Sequence, residues 1–293
     1  MRVWLVLTLL LTVSAAAQET SLRVTVRLVN VLATVRDARG GLVRELSRED
    51  FEVRDEGQAR PIYFFGREAD LPLSVALLLD ISGSTAKDLK FEQESAARFI
   101  RSILRPQDRL ALFAFNETVT QLTPFTASAA RVEQALRAVR AQGGTSLYDA
   151  VLLAAEELRK QPGRRVMVLI TDGGDTTSTV SFHQALRVAQ EAEAVIYSIV
   201  VVPIRSEAGR DIGGEHTLYL LSQGTGGRDH TPEAASELDP VFAAIGEELR
   251  NQYVLGFYAP ADAQPGSYRR IEVRAKNLAF TVQARKGYYL VDR

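Results

Sequence analysis

Two hydrophobic periodicities divide this chain of 293 residues into three stretches. In the first stretch, between residues 22 and 65, apolar and polar residues alternate as they do in half-buried β-strands. The apolar residues of its first strand fall in two successive phases, Leu22, Val24, Val26, Leu28 and then Val29, Val31, Ala33, Val35. A phase change of this kind indicates a β-bulge or a strand that passes between two sheets. Phe51 and Val53 begin a further strand, which turns at Asp55-Glu56-Gly57 and is predicted to return as a hairpin over residues 62–65.

The second stretch, residues 71–252, alternates predominantly apolar strands with amphipathic helices. The predicted strands are Leu73–Leu79, Leu110–Phe115, Val166–Thr171 and Val195–Val202, with a short edge strand over Val119–Leu122. The predicted helices are Ala86–Leu104, Ala127–Val139, Leu147–Lys160, Phe182–Ala192, His216–Ser222 and Pro240–Asn251. This alternation predicts an α/β fold, a doubly wound and mostly parallel sheet with helices on both faces.

The third stretch returns to alternation, with three predicted antiparallel strands at Tyr253–Tyr258, Tyr268–Ala275 and Leu278–Ala284. Neither flanking stretch has enough strands for a two-layer core of its own. We therefore predict that residues 18–70 and 253–293 join into one small antiparallel β-sandwich, into which residues 71–252 are inserted. Such insertion is physically easy because the ends of a compact domain often lie close together.

Composition excludes several classes of protein. The formal net charge is -1 and 24% of the residues are charged, so no basic field favours nucleic acid or an anionic membrane. The chain has no cysteine, which excludes disulfides, cysteine-ligated zinc and thiol catalysis. Its three histidines, at 183, 216 and 230, are too far apart in the sequence for a zinc motif.

The first residues are typical of a secretory signal. Met1-Arg2 is a short positive start, residues 3–13 are apolar, and Ala15-Ala16-Ala17 fits a cleavage site after Ala17. The apolar run is shorter than the ~20 residues that a membrane-spanning helix needs. We expect residues 1–17 to be removed, which leaves a protein that is exported to the periplasm or the cell exterior without stable membrane insertion.

Oxygen-bearing side chains follow the predicted parallel strands. Asp80, Ser82 and Ser84 come directly after the strand at 73–79, and Thr145 lies in the Gly143-Gly144-Thr145 loop before a helix. Asp172 follows the strand at 166–171. In an open α/β sheet, ligands bind beyond the carboxyl ends of the strands. Two carboxylates and three hydroxyls are hard donors that suit Mg²⁺, with Mn²⁺ or Ca²⁺ as substitutes.

These motifs, Asp-x-Ser-x-Ser, Gly-Gly-Thr and Thr-Asp-Gly in this order, resemble the von Willebrand factor A domain with its metal-ion-dependent adhesion site. The likeness covers about residues 71–252. It implies that Asp80, Ser82, Ser84, Thr145 and Asp172 bind a divalent cation. The flanking segments, with Arg-Arg-Ile-Glu-Val-Arg at 269–274 and Ala-Arg-Lys-Gly-Tyr-Tyr at 284–289, are similar to exported bacterial proteins that carry such a domain.

The resemblance implies a protein-binding or adhesion module rather than an enzyme, in which the cation coordinates an Asp or Glu carboxylate of a protein partner. Two alternatives stay open. One is a Mg²⁺-dependent hydrolase that uses the same acids, for which the sequence offers no clear nucleophile or general base. The other is a structural or assembly subunit of an envelope complex.

Simpler roles for the same residues also stay open. Asp80, Ser82 or Ser84 could cap the following helix, Thr145 could cap the helix at Leu147, and Asp172 could close an ordinary turn. The long polar loop Pro203–Glu215 is a candidate recognition loop. In the family the last helix of the domain, here Pro240–Asn251, can shift and alter the site.

Overall fold

The computed structural model describes residues 27–67, 71–87, 89–171, 174–200 and 212–290. The strands are β1 (Leu28–Arg36), β2 (Phe51–Asp55), β3 (Gln58–Arg60), β4 (Phe64–Arg67), β5 (Leu73–Asp80), β6 (Arg109–Phe115), β7 (Val119–Thr126), β8 (Arg164–Thr171), β9 (Ala194–Val200), β10 (Asp229–His230), β11 (Tyr253–Tyr258), β12 (Tyr268–Ala275), β13 (Thr281–Ala284) and β14 (Gly287–Tyr289). The helices are α1 (Leu89–Ile103), α2 (Ala129–Ala138), α3 (Leu147–Arg159), α4 (Phe182–Glu191), α5 (Ile212–Thr225) and α6 (Leu238–Leu249).

A mostly parallel sheet forms the centre of the inserted stretch. Its strand order is β10-β9-β8-β5-β6-β7, in which β7 is an antiparallel edge strand and the other pairs are parallel. The sheet order places β5 between β8 and β6, and all eight residues of β5 are buried. A strand covered on both faces has no polar side, which explains the unbroken apolar run from Val75 to Leu79.

Helices cover both faces of this sheet. Leu77 and Leu79 of β5 pack in one core with residues of α1, α2 and α6, and Ala76 and Leu78 pack in a second core with residues of α3, α4 and α5. Each fully buried leucine contributes about 1.5–3 kcal/mol relative to an exposed one. The predicted doubly wound α/β fold is confirmed.

Two antiparallel sheets, in the orders β13-β1-β11-β4 and β14-β12-β2-β3, complete the molecule. Each sheet pairs strands from both ends of the chain: Val31 of β1 lies opposite Leu255 of β11, and Val53 of β2 lies opposite Val273 of β12. Their facing side chains, among them Phe51 and Tyr253, share a third core. The predicted β-sandwich around an inserted α/β fold is therefore confirmed as an architecture, while the boundaries at residues 17, 70 and 252 stay predictions.

The structure corrects the strand pairing within the sandwich. The turn after Asp55 returns over Gln58–Arg60, whereas residues 64–67 pair with β11 in the other sheet, so the predicted hairpin was wrong in its second strand. The three C-terminal strands are likewise split, because β11 and β13 flank β1 while β12 pairs with β2. Extended segments with the same alternation can join either sheet, and the choice depends on tertiary packing.

Several predictions concern residues outside the described ranges. Residues 1–26, which include the signal sequence and most of the first apolar phase, lie there, as do Asp172 and residues 201–211 of the candidate recognition loop. In the part of the chain that is described, no helix has the length and apolar character needed to cross a bilayer.

Candidate metal centre

The carboxylate of Asp80 lies at the carboxyl end of β5 and is fully buried. Its Oδ1 atom accepts a hydrogen bond of 2.8 Å from the backbone N–H of Ser82, and its Oδ2 atom accepts one of 2.6 Å from the Thr171 hydroxyl. Each carboxylate oxygen can accept further contacts because it has two lone pairs. The two bonds hold the orientation of the carboxylate at the edge of the sheet, where its charge can attract a cation.

Ser82 and Ser84 present their hydroxyls side by side. Their Oγ atoms are 3.0 Å apart, with Ser82 only 2% exposed and Ser84 open to solvent. Thr85 holds the loop by donating to the Ser82 carbonyl oxygen at 3.0 Å, and a 3₁₀ turn over Ser84–Lys87 then leads towards α1. Neighbouring ligands of an octahedral Mg²⁺ with bonds of about 2.1 Å lie roughly 3.0 Å apart, so this pair of serine oxygens fits such an ion.

The Gly143-Gly144-Thr145 loop lies directly against the first loop, the one after β5 that carries Ser82 and Ser84. The Gly83 N–H donates to the Gly143 carbonyl oxygen at 3.0 Å, and the Gln142 N–H donates to the Ile81 carbonyl oxygen at 2.7 Å. Gly143 adopts φ +79°, a left-handed conformation that favours glycine. This local fold brings the loop that carries Thr145 beside the loop that carries Ser82 and Ser84.

Thr145 is 6% exposed and its backbone is fully engaged. Its N–H donates to the Thr176 hydroxyl at 2.8 Å, and its carbonyl oxygen accepts the N–H groups of Thr176 and Thr177 at 2.8 and 3.1 Å. Within the described ranges the Thr145 hydroxyl itself has no hydrogen-bond partner. A hydroxyl of a nearly buried residue that has no protein partner there is suited to bind a ligand.

The ligand predicted on the third loop, Asp172, lies outside the described residues, but both of its flanks reach the other two loops. On one side Thr171 binds Asp80, and on the other Thr176 binds Thr145. The Ser178 hydroxyl then accepts the N–H groups at the start of α3, those of Tyr148 and Asp149, at 3.0 and 3.1 Å. The hydroxyl-rich run 176–179 thus attaches the third loop to the second, a role that the sequence interpretation missed.

Two other acids near these loops are engaged in structural contacts. The Asp149 carboxylate accepts the N–H groups of Thr179 and Val180 at 3.0–3.1 Å, and Asp175 accepts from the Ser178 hydroxyl. Across the described ranges no group of three His, Asp or Glu side chains could hold a metal ion. A cation at this edge of the sheet would therefore depend on hydroxyl oxygens.

The turn between β6 and β7 supports the Thr145 loop from its outer side. Asn116 accepts the Ser146 N–H at its carbonyl oxygen (2.7 Å) and donates its side-chain amide to the Gln142 carbonyl oxygen (3.1 Å). The exposed Glu117 accepts the Gly144 N–H at 3.3 Å. These residues were also missed, because nothing in a single sequence shows which turn will pack against which loop.

The three histidines have contacts elsewhere. His183 packs against Phe182, and His216 stacks on Tyr219. Burial lowers the pKa of His230, and its charged neighbours are Glu248 and Arg228. In the described structure none of them bonds to Asp80, Ser82, Ser84 or Thr145, so the arrangement offers oxygen ligands without a histidine base.

Comparisons with known proteins agree with this geometry. Residues 75–174 match the family model of the von Willebrand factor type A domain. A pig protein, inter-alpha-trypsin inhibitor heavy chain H4, is 27% identical over 177 residues, which are 56% of this chain and 17% of that protein. The chain thus aligns with only a small part of that relative.

Two solved structures share the fold at low identity. Proximal thread matrix protein 1 from the mussel byssus, described with a zinc-occupied MIDAS motif, has a TM-score of 0.54 at 15% identity, over 67% of this chain and 50% of that chain. The von Willebrand domain of the type V pili tip protein Mfa5 from Porphyromonas gingivalis has a TM-score of 0.50 at 15% identity, over 60% and 94% of the two chains. The match of the family model, the sheet order and these shared folds establish that the protein contains a von Willebrand factor type A domain.

Proposed function

We propose that the protein is an exported, metal-dependent protein-binding module. Asp80, Ser82, Ser84, Thr145 and Asp172 would hold a divalent cation, Mg²⁺ by the hardness of the donors, with Mn²⁺ or Ca²⁺ as substitutes. A protein partner would supply an Asp or Glu carboxylate to the cation. The observation that carries the proposal is the convergence of a fixed, buried carboxylate with two serine oxygens 3.0 Å apart at one sheet edge.

The charges of the donor set explain why such a site would bind an acid. Three of the five proposed ligands are neutral hydroxyls, and two carboxylates at most balance the charge of a divalent ion. A carboxylate that binds through water, as is common in the family, would leave the ion with positive character. A partner carboxylate would then be attracted to it in a partly buried setting, where screening is weaker than in bulk water.

The relatives support this proposal at a coarser level. The byssus protein has a metal-binding motif of this kind occupied by zinc, which favours a divalent cation without selecting Mg²⁺. The Mfa5 protein is a pilus tip component, which is consistent with a role in adhesion or assembly outside the cell. The signal-like N-terminus supports export.

The hydrolase alternative has less support. Metal-assisted hydrolysis needs a base or a nucleophile placed beside the metal-bound water. In the proposed site the described hydroxyls and Asp80 would serve as ligands or hold the loops. Turnover of a panel of phosphoesters by the purified protein would favour the hydrolase over the binding module.

The first test measures cation binding directly. Asp80→Asn removes the charge and keeps most of the shape, so we expect Mg²⁺ and Mn²⁺ binding by isothermal titration calorimetry to be lost while circular dichroism stays unchanged. The control is Glu156→Gln, an exposed acid of α3 without a described contact. Equal cation affinity in the Asp80→Asn protein would contradict the proposal.

The second test concerns the partner. The mature protein is immobilised with Mg²⁺, exposed to the exported fraction of its cells, and eluted with chelator. We expect a protein that is absent from an Asp80→Asn column and whose capture depends on one of its own acidic residues. Equal capture by both columns would point to the structural alternative.

A further inference from the structure

We infer that Glu117 selects which acidic partners bind, by requiring a basic residue beside the partner's metal-binding carboxylate. This inference rests on the proposed function and adds a chemical description of the partner. It starts from the position of Glu117 at the tip of the β6–β7 turn, next to the loop that carries Thr145.

The geometry places this carboxylate on the rim of the candidate metal centre. Glu117 Oε1 is 3.3 Å from the backbone nitrogen of Gly144, the residue before Thr145. Its side chain also lies against Gly143, where an added Cβ would be 3.3 Å from the Glu117 Cδ atom. Gly143 in turn accepts the Gly83 N–H at 3.0 Å, so Glu117 lies beside the Thr145 loop and is one residue removed from the loop of Ser82 and Ser84.

The charge of Glu117 reaches the space in front of those loops. Consecutive Cα atoms are about 3.8 Å apart, which limits the separation between Glu117 Oε1 and the Thr145 hydroxyl to roughly 11 Å. This is close to the screening length of about 10 Å at 0.1 M salt. A charge at such a distance acts on whatever approaches the cation.

The charge of Glu117 is also available to a partner. The side chain is exposed, and among the described residues it has no ion pair. A nearby basic residue, Arg140, instead donates to the carbonyl oxygens of Arg137 and Val139. The other acid at this edge, Asp149, adds negative charge and is held by backbone N–H groups of residues 179 and 180.

A partner acid that approaches the cation therefore meets a second carboxylate. A lone Asp or Glu is repelled by Glu117, whereas an acid with a neighbouring Lys or Arg gains a favourable pair. Exposed charge pairs are worth about 0.2–1 kcal/mol, so the expected discrimination is about 1.4- to fivefold in affinity. Specificity of this kind uses repulsion as well as attraction.

The experiment is a selection from displayed, disulfide-constrained random peptides. The full-length mature protein is the bait, in 10-fold less salt than physiological to strengthen charge effects, and bound peptides are eluted with chelator. The baits are the wild type, Glu117→Gln, Glu117→Lys and Glu156→Lys. Glu117→Gln keeps an acceptor for the Gly144 N–H, and Glu156→Lys is a control at an exposed site on α3. An Asp80→Asn bait reports whether elution depends on the proposed cation.

We expect the wild-type and Glu156→Lys pools to be enriched in Asp or Glu with a Lys or Arg within a few residues. The enrichment in Lys or Arg should disappear with Glu117→Gln. With Glu117→Lys the residues near the selected acid should instead be enriched in further Asp or Glu. Peptides selected on the wild type should bind about 1.4- to fivefold more weakly to Glu117→Gln, and this difference should vanish at 1 M salt, where the screening length is about 3 Å.

Two different failures can be told apart. If chelator elutes acidic peptides from the wild type and basic neighbours persist with Glu117→Lys, the inference is wrong and the proposed function stands. If chelator elutes no acidic peptides from the wild type, or elutes the same ones from Asp80→Asn, the proposed function is wrong and the inference fails with it.

Discussion

The Thr171 hydroxyl is the protein group that orients one oxygen of Asp80, at 2.6 Å in a fully buried setting. A hydrogen bond to a charged group contributes about 1.5–3 kcal/mol to stability, and its loss inside a protein is not replaced by water. Thr171 is the last residue of β8, the strand that leads into the loop of Asp172. This strand therefore directly supports Asp80, the proposed ligand at the end of β5.

Thr171→Val should therefore destabilise the metal-free protein by about 1–3 kcal/mol, because the buried Asp80 loses a donor while the side-chain volume is kept. Thr171→Ser keeps the hydroxyl and should cost less. Urea denaturation in the presence of chelator measures both. Equal stability of the Val and Ser variants would show that the hydroxyl of residue 171 does not matter to Asp80.

Much of this residue-scale arrangement could be predicted from the sequence. Asp80, Ser82 and Ser84 come at the end of an apolar run that is typical of a buried strand, and a parallel sheet aligns the ends of its strands at one edge. The supporting groups could not be predicted, because Asn116, Glu117 and Thr176 bind backbone atoms of the ligand loop. Contacts of that kind depend on how loops pack in three dimensions.

Predictability differs between kinds of element. Helices such as α3, predicted over 147–160 and found over Leu147–Arg159, have a local period that identifies them. The short strands of the sandwich have no such signal: β14 has three residues and was not predicted, and residues 64–67 pair with a strand almost 200 positions away. Strand partners are chosen by burial and cross-strand packing, which are not local properties.

The unpredicted β14 carries a residue with a testable titration. Tyr288 is 2% exposed, its ring packs edge-on against Phe257, and within the described structure its hydroxyl has no hydrogen-bond partner. Burial, with a smaller effect from the Asp55 carboxylate, raises the pKa of Tyr288 to about 12. In the unfolded chain the pKa of tyrosine is about 10.

The folded state binds the proton of the Tyr288 hydroxyl more tightly than the unfolded chain does. The stability that follows from this difference is fully present below pH 10 and is lost as the pH rises towards 12. Tyr288→Phe should be as stable as the wild type at pH 7, since no hydrogen bond is lost, and should lose less stability between pH 10 and 12, by at most about 2–3 kcal/mol. Denaturation at several pH values measures this. The control Tyr219→Phe, at an exposed tyrosine of α5, should show the same dependence of stability on pH as the wild type. If Tyr288→Phe showed that same dependence, the raised pKa of Tyr288 would be contradicted.

At the scale of the whole molecule, a buried glutamate joins the inserted domain to the sandwich. Glu248, near the end of α6, is 1% exposed. It accepts hydrogen bonds from the Tyr197 hydroxyl of β9 at 2.8 Å and, in the sandwich, from Thr34 at 3.2 Å and Arg36 at 2.7 Å. One carboxylate of α6 thus bonds to both β9 and β1, which are distant from it in sequence.

The neighbouring Glu247 is a matched control within the same helix turn. It pairs with Arg44, but both side chains are more than half exposed, at 56% and 51%. An exposed pair contributes about 0.2–1 kcal/mol, whereas removal of one partner from a buried pair costs about 3–5 kcal/mol, because the other charge stays buried. Two adjacent acids should therefore differ several-fold in their effect on stability.

We expect Glu248→Ala to lower the free energy of unfolding by about 3–5 kcal/mol and Glu247→Ala by less than about 1 kcal/mol. The loss should appear in both parts of the molecule, since the carboxylate binds β9 on one side and β1 on the other. Hydrogen exchange followed by mass spectrometry distinguishes the two parts. Faster exchange in β1 and β9 together would show that Glu248 couples the domains, whereas faster exchange confined to α6 would mean that the carboxylate serves its own helix and that the sandwich is held by its apolar core alone.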